Sequence, residues 1–309
     1  MKVFTHNFNP NSNSGPNKFT KQLFVKLIEK HSVELTANQK EADVEFCVIQ
    51  QSMPKVKPMV LRLDGIYFNS EQDCKALNSP INFAFNNASA VVYQSNFNKL
   101  LTERWFGAHK NSYVIHNAAN EKLINQTKEY TTMWDELIPA DSKVWSCAAS
   151  WRPHKRLNEN VRYFIEHSGV NDTLIIAGKN ASEHINPVDY DVKDQRRMIY
   201  VGELDYPTLI SLYKRSHTFI HLAYIDHCPN VVVDAQAAGC HVICSSTGGT
   251  SEIVYNGTVI QEAVWDFSPI KLYEPPKMQF NKASTVDKEN DKSFAKCVDS
   301  YYNILRSLK

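Results

Sequence analysis

The stretch LAYIDHCPNVVVDAQAAGCHVICSSTGGTSE, residues 222–252, decides how the chain is read. It starts on the end of an apolar run, TFIHLA (218–223), and passes through a short polar loop that holds Asp226. Pro229 opens a helical stretch near 230–238, which Gly239 ends. HVICS (241–245) is strand-like, and a TGGT turn (247–250) leads to Glu252 at the start of a further helix. Strand, loop, helix and strand make the βαβ rhythm of a parallel sheet. Ligands of such open sheets sit outside the carboxyl ends of the strands, which makes the loops at Asp226 and Gly249 the informative ones.

The same rhythm runs in both directions. Upstream it reads VWSCAAS (144–150), a helix near 158–167, TLIIAG (173–178), MIYVG (198–202) and a helix near 206–215; downstream comes TVI (258–260). The first half of the chain repeats the pattern. VFTH (3–6) is followed by a turn-rich NPNSNSGPN and a helical segment from Lys18 to about Glu29, with Phe19, Leu23, Phe24, Leu27 and Ile28 on one broad face. VEFCVI (44–49), MVLRL (59–63), AVVYQ (90–94) and SYVIH (112–116) are strand candidates, with helices near 71–78 and 96–106. Residues 118–142 are polar and without sustained periodicity, and read as a crossover between two domains. The tail from about Lys288 to Leu308 has helical spacing through Phe294, Val298, Tyr301, Tyr302 and Leu305.

Composition agrees with two domains and narrows the partners. The chain has 309 residues, a length that favours two domains. Its 34 Lys and Arg balance 33 Asp and Glu, so it lacks the basic excess of a protein built to hold a long polyanion. No nucleic-acid partner is expected. The N-terminus lacks the long apolar core of a signal peptide, and no window reaches the roughly 18 uncharged apolar residues of a membrane span. Seven cysteines, odd in number and without a CxxC pair, suit a reducing compartment, so the cytoplasm is the expected location. Lys18, Lys21, Lys26 and Lys30 surround the apolar face of the first helix; it could rest on an anionic membrane surface, although such a face is more often core.

Several chemistries are excluded by their missing motifs. The first loop offers only Ser14-Gly15-Pro16, there is no GxGxxG fingerprint, and no GxxxxGK[ST] phosphate loop exists. His217, His221, His227 and Cys228 cluster in sequence, yet no second ligand pair follows at zinc spacing, and no metal site is expected. The features that remain suit an anionic, hydroxyl-bearing ligand. The helix at Pro229, Asn230 and Val231 presents first-turn amides that favour an anion. Lys155 and Arg152 lie at a strand end in ASWRPHKRL (149–157), and Asp234 follows Asp226 by eight residues. A nucleotide sugar needs this set: cations and amides for phosphate, carboxylates for hydroxyls.

At these residues the chain resembles the retaining glycosyltransferases of family 4. Their donor-binding segment has a Glu, seven residues, a second Glu followed by Ala, then small residues, Gly and a PVI strand; here the two acids are Asp226 and Asp234. Lys155 stands on the family's diphosphate Lys. Ser150 stands at its Arg position, with Arg152 as a shifted substitute. IIAGK (175–179) and YVGEL (200–204) resemble the loops around the nucleobase, so Gly178, Lys179, Gly202 and Leu204 join the donor site. VVYQSNF (91–97) and VIHNAAN (114–120) resemble the end of the N-terminal domain, and LRLDG (61–65) stands near the active-site cleft.

The resemblance implies an α/β, GT-B-like fold of two Rossmann-like domains with parallel sheets facing across a cleft. Residues 1–117 would form the acceptor side, with 288–309 packing back on it, 118–142 the crossover and 143–287 the donor side. It implies a retaining, metal-independent transfer of a hexose-type sugar from a nucleoside-diphosphate sugar, UDP or GDP, to a glycan, lipid-linked or other hydroxyl acceptor, with no cofactor. Asp234 would bind the ribose, Asp226 would sit beside the donor sugar, and Gly249 and Glu252 would complete the site. Asp64 would serve as the acceptor-side base, sharing that region with Arg62. The two shortened carboxylates keep open a non-catalytic sugar-nucleotide or glycan-binding protein. A sugar-nucleotide epimerase of the same fold also remains open.

Overall fold

The computed structural model describes residues 1–12, 14–291 and 293–309, so position 13 of the first turn-rich loop and position 292 of the tail lie outside the described residues. The chain divides into two compact α/β units, Met1–Ala118 with Asp266–Ile270 and Lys292–Lys309, and Ala119–Trp265 with Lys271–Asp291.

The first unit is built on β1 (Lys2–His6), β2 (Glu34–Leu35), β3 (Val44–Val48), β4 (Met59–Leu63), β5 (Ala90–Tyr93) and β6 (Ser112–Val114). They form one parallel sheet in the order β2-β1-β3-β4-β5-β6. β3, β4 and β5 are buried along their whole length and are mostly apolar, with Glu45 and Arg62 the buried exceptions. Helix α1 (Gly15–His31) starts on Pro16, whose missing N–H costs nothing in a first turn, and buries Phe19, Leu23, Phe24 and Leu27. Ile28 departs from the expected face and is 45% exposed. The C-terminal helix (Phe294–Leu308) buries Phe294, Val298, Tyr301 and Leu305 in the same core as Phe19. Truncating one such core leucine to Ala typically costs about 2–5 kcal/mol.

Helix α2 (Cys74–Asn87) extends nine residues beyond the expected end at 78 and runs through Pro80. An N-cap bond from Ala76 N–H to Asp73 Oδ1 (2.9 Å) fixes its start, and Ile81, Ala84 and Phe85 beyond the proline bury enough apolar surface to hold the last turns. Helix α3 (Asn96–Phe106) begins where expected, capped by Ser95. The short segment 266–270 belongs to this unit: Asn69 pairs with Ile270, and the Trp105 indole N–H donates to Phe267 O at 2.9 Å.

In the second unit the expected crossover is folded. Helices α4 (Glu121–Gln126) and α5 (Thr131–Leu137) bury Ile124 and Trp134, and the Trp134 indole N–H donates to Ser211 Oγ at 3.0 Å. Elements this short show too few turns for a period to emerge from sequence. Next come β7 (Val144–Ala148), α6 (Leu157–His167), β8 (Thr173–Ala177), α7 (Val192–Gln195), β9 (Met198–Gly202), α8 (Tyr206–Arg215) and β10 (Thr218–His221). They are followed by α9 (Asn230–Ala237), β11 (His241–Ser245), α10 (Thr250–Ile253), β12 (Asn256–Ile260) and β13 (Ala283–Asp287). The sheet order is β13-β12-β11-β10-β7-β8-β9, parallel except for β13. The polar edge strand β13 has no apolar run and escaped sequence reading. All seven cysteines are free thiols. No helix among the described residues is long and apolar enough to cross a membrane.

Candidate functional site

Strand order places the site in the second unit. From β7 the chain winds outward through β8 and β9 to one edge, then returns so that β10 pairs with β7 on its other side. Strand order reverses between β7 and β10, and the crevice beyond their carboxyl ends is where an open α/β sheet binds ligands. The loops at that point are 149–156, which holds Lys155, and 222–229, which holds Asp226.

Both loops are held by buried polar groups. The Asn160 amide donates to Lys155 O and Arg156 O at 3.2 and 2.9 Å, and its oxygen accepts from Leu222 N–H at 3.1 Å. Tyr224 N–H donates to His154 O at 2.7 Å. Arg156, with a left-handed φ of 52°, turns the chain into α6. Its guanidinium is buried over the Tyr224 ring and bonds Glu262 and Pro276 O, each at 2.9 Å. Ile225 also has a positive φ, 56°, which strains a β-branched residue and recurs at functional sites.

The centre of the site is a carboxylate with three donors. Lys155 Nζ lies 2.5 Å from Asp226 Oδ2, His221 Nε2 lies 3.0 Å from the same oxygen, and His227 N–H donates to Oδ1 at 2.9 Å. Burial by itself would raise the Asp226 carboxyl, but Lys155 and His221 more than offset it and hold it well below the usual carboxylate range. Burial lowers His221 despite the nearby carboxylate, takes His227 down to about 4 and, together with Lys155, takes His154 down to about 3. The three imidazoles are neutral at pH 7, so the positive charge in this crevice is that of lysine.

The glycine turn closes over Asp226. Gly249 N–H donates to Asp226 O at 2.7 Å, and a Cβ on Gly248 would sit 2.3 Å from that oxygen. Close approach explains Gly178 too: a Cβ there would lie 1.8 Å from Ala149 O. Helix α9 starts at Asn230 behind Pro229, which supplies no side-chain cap. Asp234 is half-buried on its second turn, where its charge acts on buried Tyr213. Glu252 is half-buried on α10, its N–H bonded to Gly249 O.

Gly178, Lys179, Gly202 and Tyr200 line a cavity of about 510 Å³. Lys179 and Glu203 form an exposed ion pair there at 2.9 Å. Leu204, grouped with that loop on sequence, instead packs against the apolar core, because its neighbours on the inner side are the core's side chains. Arg152 is exposed and lines a second cavity of about 500 Å³, with Ser182, His184 and Asp189. The structure therefore joins Lys155 to Asp226 and turns Arg152 toward the neighbouring cavity. His221 and Arg156 were missed as site residues. A histidine in an otherwise apolar strand end was the available signal for the first, and nothing local marked the second.

In the first unit, Asp64 lies just beyond β4. Arg62 Nη1 is 2.5 Å from Asp64 Oδ2, the Gln94 amide bonds Oδ1, and Arg62 Nη2 donates to Asn117 Oδ1 at 3.0 Å. Burial raises the Asp64 carboxyl, with Arg62 opposing. Among the described residues no group of three or more His, Cys, Asp or Glu is arranged to hold a metal.

Residues 130–266 match the family model of glycosyl transferases group 1. The matched segment holds Lys155, Asp226 and the glycine turn. HepE from Anabaena, solved with UDP and glucose, is 15% identical, with a TM-score of 0.63 over 89% of this chain and 87% of that one. Sucrose-phosphate synthase from Thermosynechococcus elongatus is 14% identical, with a TM-score of 0.64 over 99% and 88%. The lipopolysaccharide glycosyltransferase WaaG is 10% identical, with a TM-score of 0.61 over 89% of each chain. At these identities the likeness establishes the fold, which is GT-B. No curated protein matches the chain by sequence.

Proposed function

We propose that the chain is a retaining glycosyltransferase of the family 4 kind, moving a hexose from a nucleoside-diphosphate sugar to a hydroxyl of a glycan or lipid-linked acceptor. The observation that carries this reading is the Lys155–Asp226 pair at the strand-order reversal, on the loop that leads into α9. Loss of a nucleoside diphosphate builds negative charge on phosphate. A fixed ammonium and helix-end amides aimed at that charge stabilise the transition state more than the ground state. In this reading Lys155 and the α9 amides hold the diphosphate without a divalent metal, and Arg152 reaches it from the neighbouring cavity. The 510 Å³ cavity takes the nucleobase, Asp234 binds the ribose, and Gly249 and Glu252 close the site. Asp64, with its raised carboxyl, is the acceptor-side base.

UDP-sugars are the donors to test first, because HepE was solved with UDP and with UDP-glucose. The proposed location is the cytoplasm, in keeping with seven free thiols. The test is calorimetric titration with UDP, GDP and ADP, followed by assay of UDP-glucose for transfer and hydrolysis with EDTA present. Micromolar UDP binding and EDTA-resistant turnover, both lost in Lys155→Ala, are expected. Wild-type turnover in Lys155→Ala would overturn the site. Binding without transfer or hydrolysis would replace the enzyme by a binding protein, and an epimerised donor would replace transfer by epimerisation.

A further inference from the structure

Within this donor site, and resting on the reading just given, we propose that His221 and Asp226 form a positioning dyad for Lys155, so that Asp226 acts on the diphosphate-binding ammonium rather than on the donor sugar.

The geometry assigns each proton. Asp226 is ionised and therefore only accepts, so His221 Nε2 and Lys155 Nζ both donate to Oδ2, at 3.0 and 2.5 Å. Oδ1 accepts from His227 N–H at 2.9 Å. Asp226 O also accepts from Gly249 N–H at 2.7 Å, which fixes the backbone of the residue. Both carboxylate oxygens are thus engaged by the protein, and the one bearing the lysine is aimed by the imidazole. The His221 side chain is 5% exposed and that of Asp226 15%, so the dyad is a fixed wall. The Lys155 side chain is 20% exposed and uses one of its three N–H donors on Asp226, its one side-chain partner among the described residues. The other two donors remain for phosphate oxygens.

A shorter acid suits this task. Its carboxylate lies close to the backbone, within reach of a histidine at the end of the preceding strand, five residues earlier. Without the imidazole, the carboxylate would be free to rotate about χ2 and Lys155 would no longer be held in one place. His221 touches neither the proposed donor nor the reacting atoms, so it is a positioning residue.

The experiment separates positioning from general damage by using the diphosphate as the probe. UDP and uridine are titrated into the full chain as wild type, His221→Phe, His221→Gln and Asp226→Asn. Phe keeps the ring volume and removes the donor, whereas Gln restores an N–H at similar reach. For His221→Phe we expect UDP affinity to fall about tenfold, the order of one lost charge-assisted hydrogen bond, with uridine affinity unchanged. Gln should return UDP affinity to within about threefold of wild type. Unchanged UDP affinity in the Phe variant, equal losses for UDP and uridine, or a Gln variant as impaired as Phe would each overturn the dyad. Should His221→Phe fail to fold, Asp226→Asn carries the test: a selective loss of UDP supports the dyad and wild-type UDP affinity overturns it. A wild-type protein that binds none of UDP, GDP and ADP removes the donor reading and the dyad with it. Wild-type UDP binding with unaffected variants removes the dyad alone.

Discussion

Each unit sets a carboxylate against a cation just beyond a strand end, and the two pairs are built to opposite ends. In the first unit Arg62 is fully buried, and the ring Arg62–Asp64–Gln94–Asn117 closes on itself, with Asn117 donating to Gln94 Oε1 at 3.1 Å. In the second unit Lys155 is part-exposed and has Asp226 as its one side-chain partner among the described residues. A closed ring gives both terminal nitrogens of a buried guanidinium a partner and leaves it no face to solvent. An ammonium with one partner and a face to solvent is ready for an anion. Openness, rather than the presence of charge, separates the cation that is ready for an anion from the one that is closed off.

The largest effect should come from breaking the closed ring. Asp64→Ala strands Arg62 in the interior and is expected to cost about 3–5 kcal/mol of stability, measured by urea unfolding. A cost below about 1 kcal/mol would mean that Arg62 finds another partner and that the ring is not what holds it. The matching change in the open pair should look different. Lys155→Ala is expected to leave unfolding within about 1 kcal/mol of wild type while slowing sugar transfer by about 10²–10³-fold.

Glycine substitutions probe the backbone that carries the open pair. Gly178→Ala drives a methyl into Ala149 O, and at a φ of +111° no side chain is comfortable. A loss of about 1–3 kcal/mol is expected, with weakened UDP binding. A neutral result would show that loop 149–156 can move away from β8 without harm to the site.

Acid acts on the two units with opposite signs. His154 and His227 are held neutral by burial, at about 3 and about 4, while an unfolded histidine titrates near 6.5. Between pH 6.5 and 4 the unfolded chain binds the extra protons. Stability of the second unit should therefore fall with pH by up to about 1.4 kcal/mol per unit for each histidine. Asp226, held low, adds a further loss only as pH drops from the unfolded carboxylate range toward its own lowered value. Asp64 is raised, so its folded form keeps a proton to higher pH and mild acid favours the first unit. Tryptophan fluorescence reports mainly the second unit, which holds Trp134, Trp145, Trp151 and Trp265 against Trp105 in the first. A urea midpoint that does not fall between pH 7 and 5 would contradict the neutral histidines.

Local signals made much of the molecule legible from sequence. The apolar runs that became β3, β4, β5, β7 and β8 stood out because strands buried on both faces are built mainly of apolar residues. Pro229 and Gly239 bracketed α9 because proline supplies a ready first turn and glycine a left-handed exit, here at φ 103°. Lys155 and Asp226 stood out in loops at strand ends, and the two cavity glycines through the resemblance to a known family. Other features were hidden from a local reading. Trp134 gave no sign that its short helix was core, Leu204 none that it faced inward, and β13 none that it would pair at all. Arg156 looked like one more cation in a basic loop until Glu262, 106 residues away, took it up.

By itself, then, the sequence determined most of the strands and longer helices, where the chain turns, and which loops hold cations and carboxylates, because those properties depend on neighbours a few residues apart. Tertiary structure alone decided that Lys155 meets Asp226 across 71 residues and that His221 completes the pair. It also decided that Arg152 turns elsewhere and that Asp64 lies inside a closed ring. Those outcomes depend on β10 returning to lie against β7, and a strand's partner is set by how the whole sheet buries its surface rather than by any residue beside it in the chain.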